Sequence, residues 1–218
     1  MLQKGNFVKT FCMQLSPEDL QDVSRFRQIE SVPYGDLVGF VLDYLRRKTW
    51  ITLFFLTACI ITIGLALNIR ISISGYFPFR NILMHTILGF IVFPVLLIPV
   101  HELMHIIPFF FTGARRIRIG ADLKQYIFYV TAHRHVMSKN AFIPVALVPF
   151  AIISVTLIIL ILYLPGLWKW SLSILLFVHT TMCAGDFAML NFYFINRNRK
   201  IYTWDDADEK MAYFYEEI

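Results

Sequence analysis

The sequence predicts an all-α polytopic membrane protein: four transmembrane helices, with a short cytosolic β-hairpin between the second and third spans. Three observations carry this reading. The chain of 218 residues is 57% hydrophobic and only 16% charged, whereas soluble domains are roughly half apolar and about a quarter charged. Four apolar stretches, at about 50–69, 82–111, 141–164 and 168–195, are each long enough to cross about 30 Å of hydrocarbon as a helix. Trp50, Trp168 and Trp170 stand at predicted ends, where interfacial aromatic anchors belong.

Charge gives the orientation. Of the 20 Lys and Arg residues, seven precede the first span, six lie in 112–140 and four follow Ile195. The other two loops hold only Arg70, Arg80 and Lys169. Basic residues collect on the cytosolic side, so both termini and the 112–140 loop are expected there, in a bacterial cell membrane. The net charge of +5 therefore reflects topology, and nucleic acid is excluded as a partner. Cys12, Cys59 and Cys183 are too few and too scattered for a disulfide framework. The first 49 residues are mixed and polar, so the first span is expected to act as an uncleaved anchor.

The elements follow in order. Residues 1–49 read as a cytosolic helical segment. Ser16-Pro17-Glu18-Asp19 has the makings of a helix start, with Ser as cap, Pro in the first turn and acids at the positive end. That helix is expected to run to about Ile29, and an amphipathic one to occupy 34–48. Residues 50–195 form the four-span domain. The second span carries Pro94, Pro99 and Pro108, each of which removes a backbone donor and disturbs the preceding turn. Gly113 is its expected stop. After it, the charged and apolar alternation at 115–120 and the β-forming run 126–131 predict a hairpin turning at 121–124. Residues 196–218 read as a solvated acidic tail.

The chemistry centres on His101-Glu102-Leu103-Met104-His105. Two His four apart lie on one side of a helix and hold two corners of a tetrahedral zinc, while the Glu between them is placed to act as general base on a metal-bound water. Glu102 is the only Asp, Glu, Lys or Arg in 82–111. A carboxylate at that depth costs about 3 kcal/mol or more unless it is partnered or wet, and a helix that merely tolerates these residues leaves the cost unexplained. A third protein ligand is required, with the fourth position left for water. Asp186 is the one acid of the fourth span. At 1.5 Å per residue, it and the motif both lie roughly 15 Å from the cytosolic ends of their helices. Gly185 beside it offers close helix approach. His179 and Cys183 share that helix and read more simply as a hydrogen-bonded core His and an apolar filler. His133 and His135 read as one solvated strand face, and His85 lies near the opposite membrane face.

The motif helix, the basic hairpin-like loop, Ser138–Pro144 with Pro149, and Gly185-Asp186 together resemble a bacterial family of zincin membrane peptidases, similar in outline to the site-2 intramembrane proteases. The resemblance covers about residues 80–195. It implies His101, His105 and Asp186 as zinc ligands and Glu102 as base. Asp186 here follows Gly185 and lacks the Asn-Pro that usually precedes the third ligand of site-2 proteases. The reading is a Zn2+-dependent metallopeptidase acting on a membrane protein or peptide substrate, with oligomeric state left open. The alternatives are a non-proteolytic metal-binding scaffold or sensor and a small transporter subunit that relays ions.

Overall fold

The structure, a computed structural model, describes residues 15–122 and 127–218. Among these, four helical stretches are long and apolar enough to cross a membrane: Trp50–Ser72, Phe79–Phe111, Lys139–Tyr163 and Leu167–Ile195. They mark a multi-pass membrane protein, and their ends fall within a few residues of those expected.

Strand β1 (Phe26–Pro33) and helix α1 (Leu37–Leu45) precede the first span, α2 (Trp50–Ser72). Thr49 caps α2 by accepting the Thr52 N–H at 3.2 Å. The second stretch is α3 (Phe79–Ile87), a wide π turn at Leu88–Val92, and α4 (Phe93–Phe111). Pro94 explains the wide turn: its ring crowds the carbonyl four residues back, and one extra residue in the turn relieves the clash. Gly89, inside that turn, allows a close helix contact, since a Cβ there would meet the Ser171 carbonyl at 2.6 Å. Gly113 ends α4 at φ +90°, with Ala114 N–H bonded to Phe109 O and Gly113 N–H to Phe110 O, a Schellman stop.

Strands β2 (Ile117–Asp122) and β3 (Ile127–Ala132) pair antiparallel after α4. The turn expected at 121–124 falls outside the described residues from 123 onward, as does Cys12. Strand β4 (Met137–Ser138) leads into α5 (Lys139–Tyr163), followed by α6 (Leu167–Met182) and α7 (Ala184–Ile195). The last span is thus broken at Cys183. It is also the best buried, with 56% of its apolar window inside the protein against 22% for each of the first two, so it forms the axis of the bundle. Exposed Leu53, Leu56, Ile60, Val95, Leu96 and Leu162 coat the outside, as a lipid-facing surface requires.

The fold is not all-α. Strands β5 (Ile201–Asp206) and β6 (Met211–Glu217) complete a four-stranded antiparallel sheet in the order β1-β6-β5-β4. Two expectations fail here. The helix from Ser16 lasts one turn. Ser16 and Asp19 do exchange cap bonds at 2.7 and 3.3 Å, but the Asp22 carboxylate takes the Ser24 N–H and hydroxyl. That local bond competes with helix continuation, and the chain leaves as β1 to pair with β6. Nor is the acidic run a solvated tail. Asp206 accepts the Asp208 and Glu209 N–H groups across the turn, and Lys210 closes it at φ +54°. One face of the sheet, with Val32, Ile201 and Phe214, packs on Phe40 of α1 and on Phe192 and Tyr193 of α7. The other packs Phe26, Trp204 and Tyr215 on Leu20 and Val136.

Fully buried Asn191 ties α7 to the rest, donating to the Tyr44 carbonyl and Thr52 hydroxyl and accepting from Thr49. These bonds, with the Tyr193–Thr203 hydroxyl pair at 2.8 Å, fix the helix that carries Asp186.

Candidate metal centre

Helix α4 sets His101 and His105 one turn apart on its inner side, 4% and 7% exposed, with ring centroids 5.1 Å apart. Asp186 enters from the first turn of α7. Its two oxygens lie 3.5 Å from His101 Nε2 and 3.7 Å from His105 Nε2. The structure therefore brings together the three residues that the sequence nominated from different helices. These gaps exceed a usual hydrogen bond. They match ligand atoms around a single small ion, since tetrahedral bonds of 2.0–2.2 Å place neighbouring ligands about 3.4 Å apart.

The donor set fits a metal for a further reason: the remaining ring nitrogens are already engaged. His105 Nδ1 donates to the Val145 carbonyl at 2.9 Å, and His101 Nδ1 faces His179 Nε2 at 3.4 Å. Both rings are left with Nε2 turned to Asp186. The Val145 carbonyl is available because the residue four positions on is Pro149, which has no N–H to complete the helical bond.

Glu102 points to a different wall. Its Oε2 accepts the Val130 N–H from β3 at 3.0 Å. The His133 N–H bonds the Arg116 carbonyl, so by alternation along the register that sets Val130 opposite Ile119 the Val130 amide points away from β2, and its bond to Glu102 sutures the hairpin's outer edge to α4. His101, Glu102, His105 and Asp186 all line one cavity of about 530 Å³. Tyr129, Val130 and Thr131 of β3 close one side of it, while Tyr34, Phe40 and Val41 on and just before α1, together with Asp205, close another. Val130, Tyr34 and Asp205 escaped the sequence reading. An amide N–H has no residue signature, and the segments bearing the other two pair only with distant parts of the chain. Burial pushes the Asp205 carboxyl up to about 6, against the lowering effect of the Thr131 hydroxyl bond.

The remaining candidates separate from this site or stand behind it. Gly185 makes no close helix contact: a Cβ there meets nothing within 4 Å, and the residue lines the cavity instead. His179, fully buried, has Cys183 Sγ at 3.7 Å from its Nε2. His85 bonds Ser171 at 2.7 Å, in α3. His133 and His135 do not form a solvated strand face. They follow β3 around Arg134 at φ +54° and are buried, with His135 Nε2 3.1 Å from the Thr112 hydroxyl and His133 beside Asp206 and Asp208.

An inward-facing His-Glu-x-x-His helix facing a carboxylate from a second helix has the donor set of a zincin-like metal site. Comparison with protein families agrees: residues 94–201 match the model of the family described as "Putative zincin peptidase". The matched segment runs from the start of α4 to the start of β5 and contains His101, Glu102, His105 and Asp186. No curated protein and no solved structure matches the chain. The family description implies zinc as the metal and peptide hydrolysis as the reaction class.

Proposed function

We propose that this protein is a zinc-dependent intramembrane metallopeptidase of a bacterial cell membrane. In this reading it cuts membrane-associated polypeptides near the cytosolic side, where both termini and the β2–β3 hairpin reside. The observation that carries it is the approach of His101 and His105 to Asp186, at 3.5 and 3.7 Å, on the wall of a cavity that also exposes Glu102. His101 Nε2, His105 Nε2 and an Asp186 oxygen hold the ion. Zinc in such a site supplies Lewis-acid activation of water near neutral pH.

Glu102 Oε1 takes a proton from the attacking water and delivers it to the amide nitrogen that leaves, so the acid and base steps share one carboxylate. The Val130 N–H on Oε2 holds that carboxylate in orientation. Phe128 shares the outer edge of β3 with Val130, because alternate strand residues present their amides to the same side, and it too lines the cavity. An extended stretch of substrate pairs there by backbone hydrogen bonds, which brings its carbonyl beside the base. Apolar walls on α1 and α5 receive its side chains.

The test is Glu102→Gln in vesicles holding a panel of single-span transmembrane peptides. The variant is expected to keep zinc and lose at least about 100-fold in cleavage rate, the scale of general-base catalysis. Cleavage equal to wild type would sink the mechanism.

A further inference from the structure

Both histidines of the centre are held through Nδ1, and the two holds are built differently. A ring that gives Nε2 to a metal must carry its proton on Nδ1, and that proton needs an acceptor in a site this dry. For His105 the acceptor is a main-chain carbonyl. In an unbroken α-helix the Val145 oxygen would be taken by the N–H of residue 149. Pro149 has none, and its ring turns that oxygen outward to meet His105 Nδ1 at 2.9 Å. For His101 the acceptor is a side chain. His179 Nε2 lies 3.4 Å from His101 Nδ1, at the end of α6 where the last span breaks. The Cys183 thiol donates to the His179 carbonyl at 3.3 Å and its Sγ stands 3.7 Å from His179 Nε2, so His101 Nδ1, at 3.4 Å, is the nearer partner of that nitrogen. Phe150 lies parallel to the His179 ring, with centroids 6.5 Å apart.

We infer that His179 and Pro149 are positioning residues of the metal centre, each presenting the acceptor that fixes the Nδ1 proton of one ligand histidine and so aims its Nε2 at Asp186. The inference rests on the metallopeptidase reading only in taking His101 and His105 as ligands. It assigns a purpose to the break in the last span and to one of the two prolines of α5. Pro144, the other, frees the carbonyl of Asn140, at the mouth of the helix and away from the ligands.

The experiment measures zinc affinity of the detergent-purified full chain by competition with a chelating dye. Melting temperature and the visible spectrum of the cobalt-loaded protein are recorded alongside. His179→Leu is expected to weaken zinc binding about 10–100-fold, the usual effect of losing an outer hydrogen-bond partner. His179→Gln, whose amide oxygen reaches the position of Nε2, should restore most of it. His179→Asn, which reaches only the position of Nδ1, should not, and this matched pair decides the matter if the Leu variant fails to fold. Pro149→Ala regains a helical hydrogen bond and should melt no lower than wild type, yet bind zinc more weakly, whereas Pro144→Ala should bind as wild type does.

Unchanged affinity in His179→Leu, or equal affinity in the Gln and Asn variants, would overturn the His179 assignment. Equal affinity in the two proline variants would overturn that of Pro149. Two metal ions per chain, with a thiolate charge-transfer band in the cobalt spectrum, would also overturn the His179 assignment, because His179 and Cys183 would then be ligands themselves. Equal zinc in wild type, His101→Ala and His105→Ala is a separate result, and would remove the metal centre itself.

Discussion

His101, His105 and Asp186 form one cluster among the described residues, and His133, Asp206 and Asp208 form another, with ligand atoms within 4.8 Å of one another in each. What separates them is whether those atoms are already spent. In the second cluster His133 Nδ1 accepts the Ala207 N–H at 3.1 Å. Asp206 accepts two turn amides on one oxygen and faces Arg134 with the other at 3.4 Å. Asp208 is mostly in solvent. That cluster is a hydrogen-bonded turn. In the first, the outward nitrogens are occupied and the inward ones face a carboxylate across gaps too long for hydrogen bonds, beside a cavity. Unspent lone pairs converging on one point are what the proposed metal centre requires; proximity of His to Asp alone does not meet that requirement.

Metal content separates the two clusters most sharply. His105→Ala and Asp186→Ala remove ligands, so each should lower zinc affinity by more than the about 10–100-fold that loss of an outer partner costs. Asp208→Ala should leave zinc at the wild-type level. Elemental analysis of the three purified variants checks this, and zinc lost from the Asp208 variant alone would reverse the assignment of the two clusters.

Stability is the converse measurement. Asp206→Ala strips the acceptor from two turn N–H groups and from Arg134, and leaving such groups unpaired costs about 1–3 kcal/mol. Denaturation should show that loss with zinc content unaltered. A variant as stable as wild type would mean that the turn holds without its carboxylate.

The two regions also differ in how far the sequence discloses them. In the bundle, long apolar runs and one buried acid per ligand helix are local signals, and the ends of α2 and α5 follow from them. Gly113 stops α4 for a reason readable in a single residue. The sheet depends on partners that are nearly the whole chain apart, such as Phe26 opposite Glu217. Short strands with charged outer positions resemble turns and tails until that pairing is known. The same limit hid Val130, Asp205 and α1 as walls of the cavity. Asp186 is a candidate legible in the sequence because an ionisable group deep in a span demands a partner. Pro149 has no role legible in the sequence beyond its place in the family resemblance, because the use of its freed carbonyl shows only once His105 is seen beside it.

Asp205 tests where one region ends and the other begins, for it lines the cavity yet immediately precedes Asp206. Its carboxyl is pushed from an ordinary 3.8 up to about 6 by burial, with the Thr131 hydroxyl donating at 2.8 Å and no charged group of the metal centre contributing. A raised carboxyl means that the folded protein holds a proton which the unfolded chain releases. Stability should therefore fall as pH rises from about 4 to about 6 and level off above. Asp205→Asn keeps an oxygen for Thr131 and has nothing to ionise. Its stability relative to wild type should climb over that window and stay higher at pH 7. Repeated with a chelator present, the difference curve should keep its midpoint, because burial and Thr131 set the shift. A midpoint that moves on chelation would join Asp205 to the metal centre, and the boundary between the two clusters would then lie between residues 205 and 206.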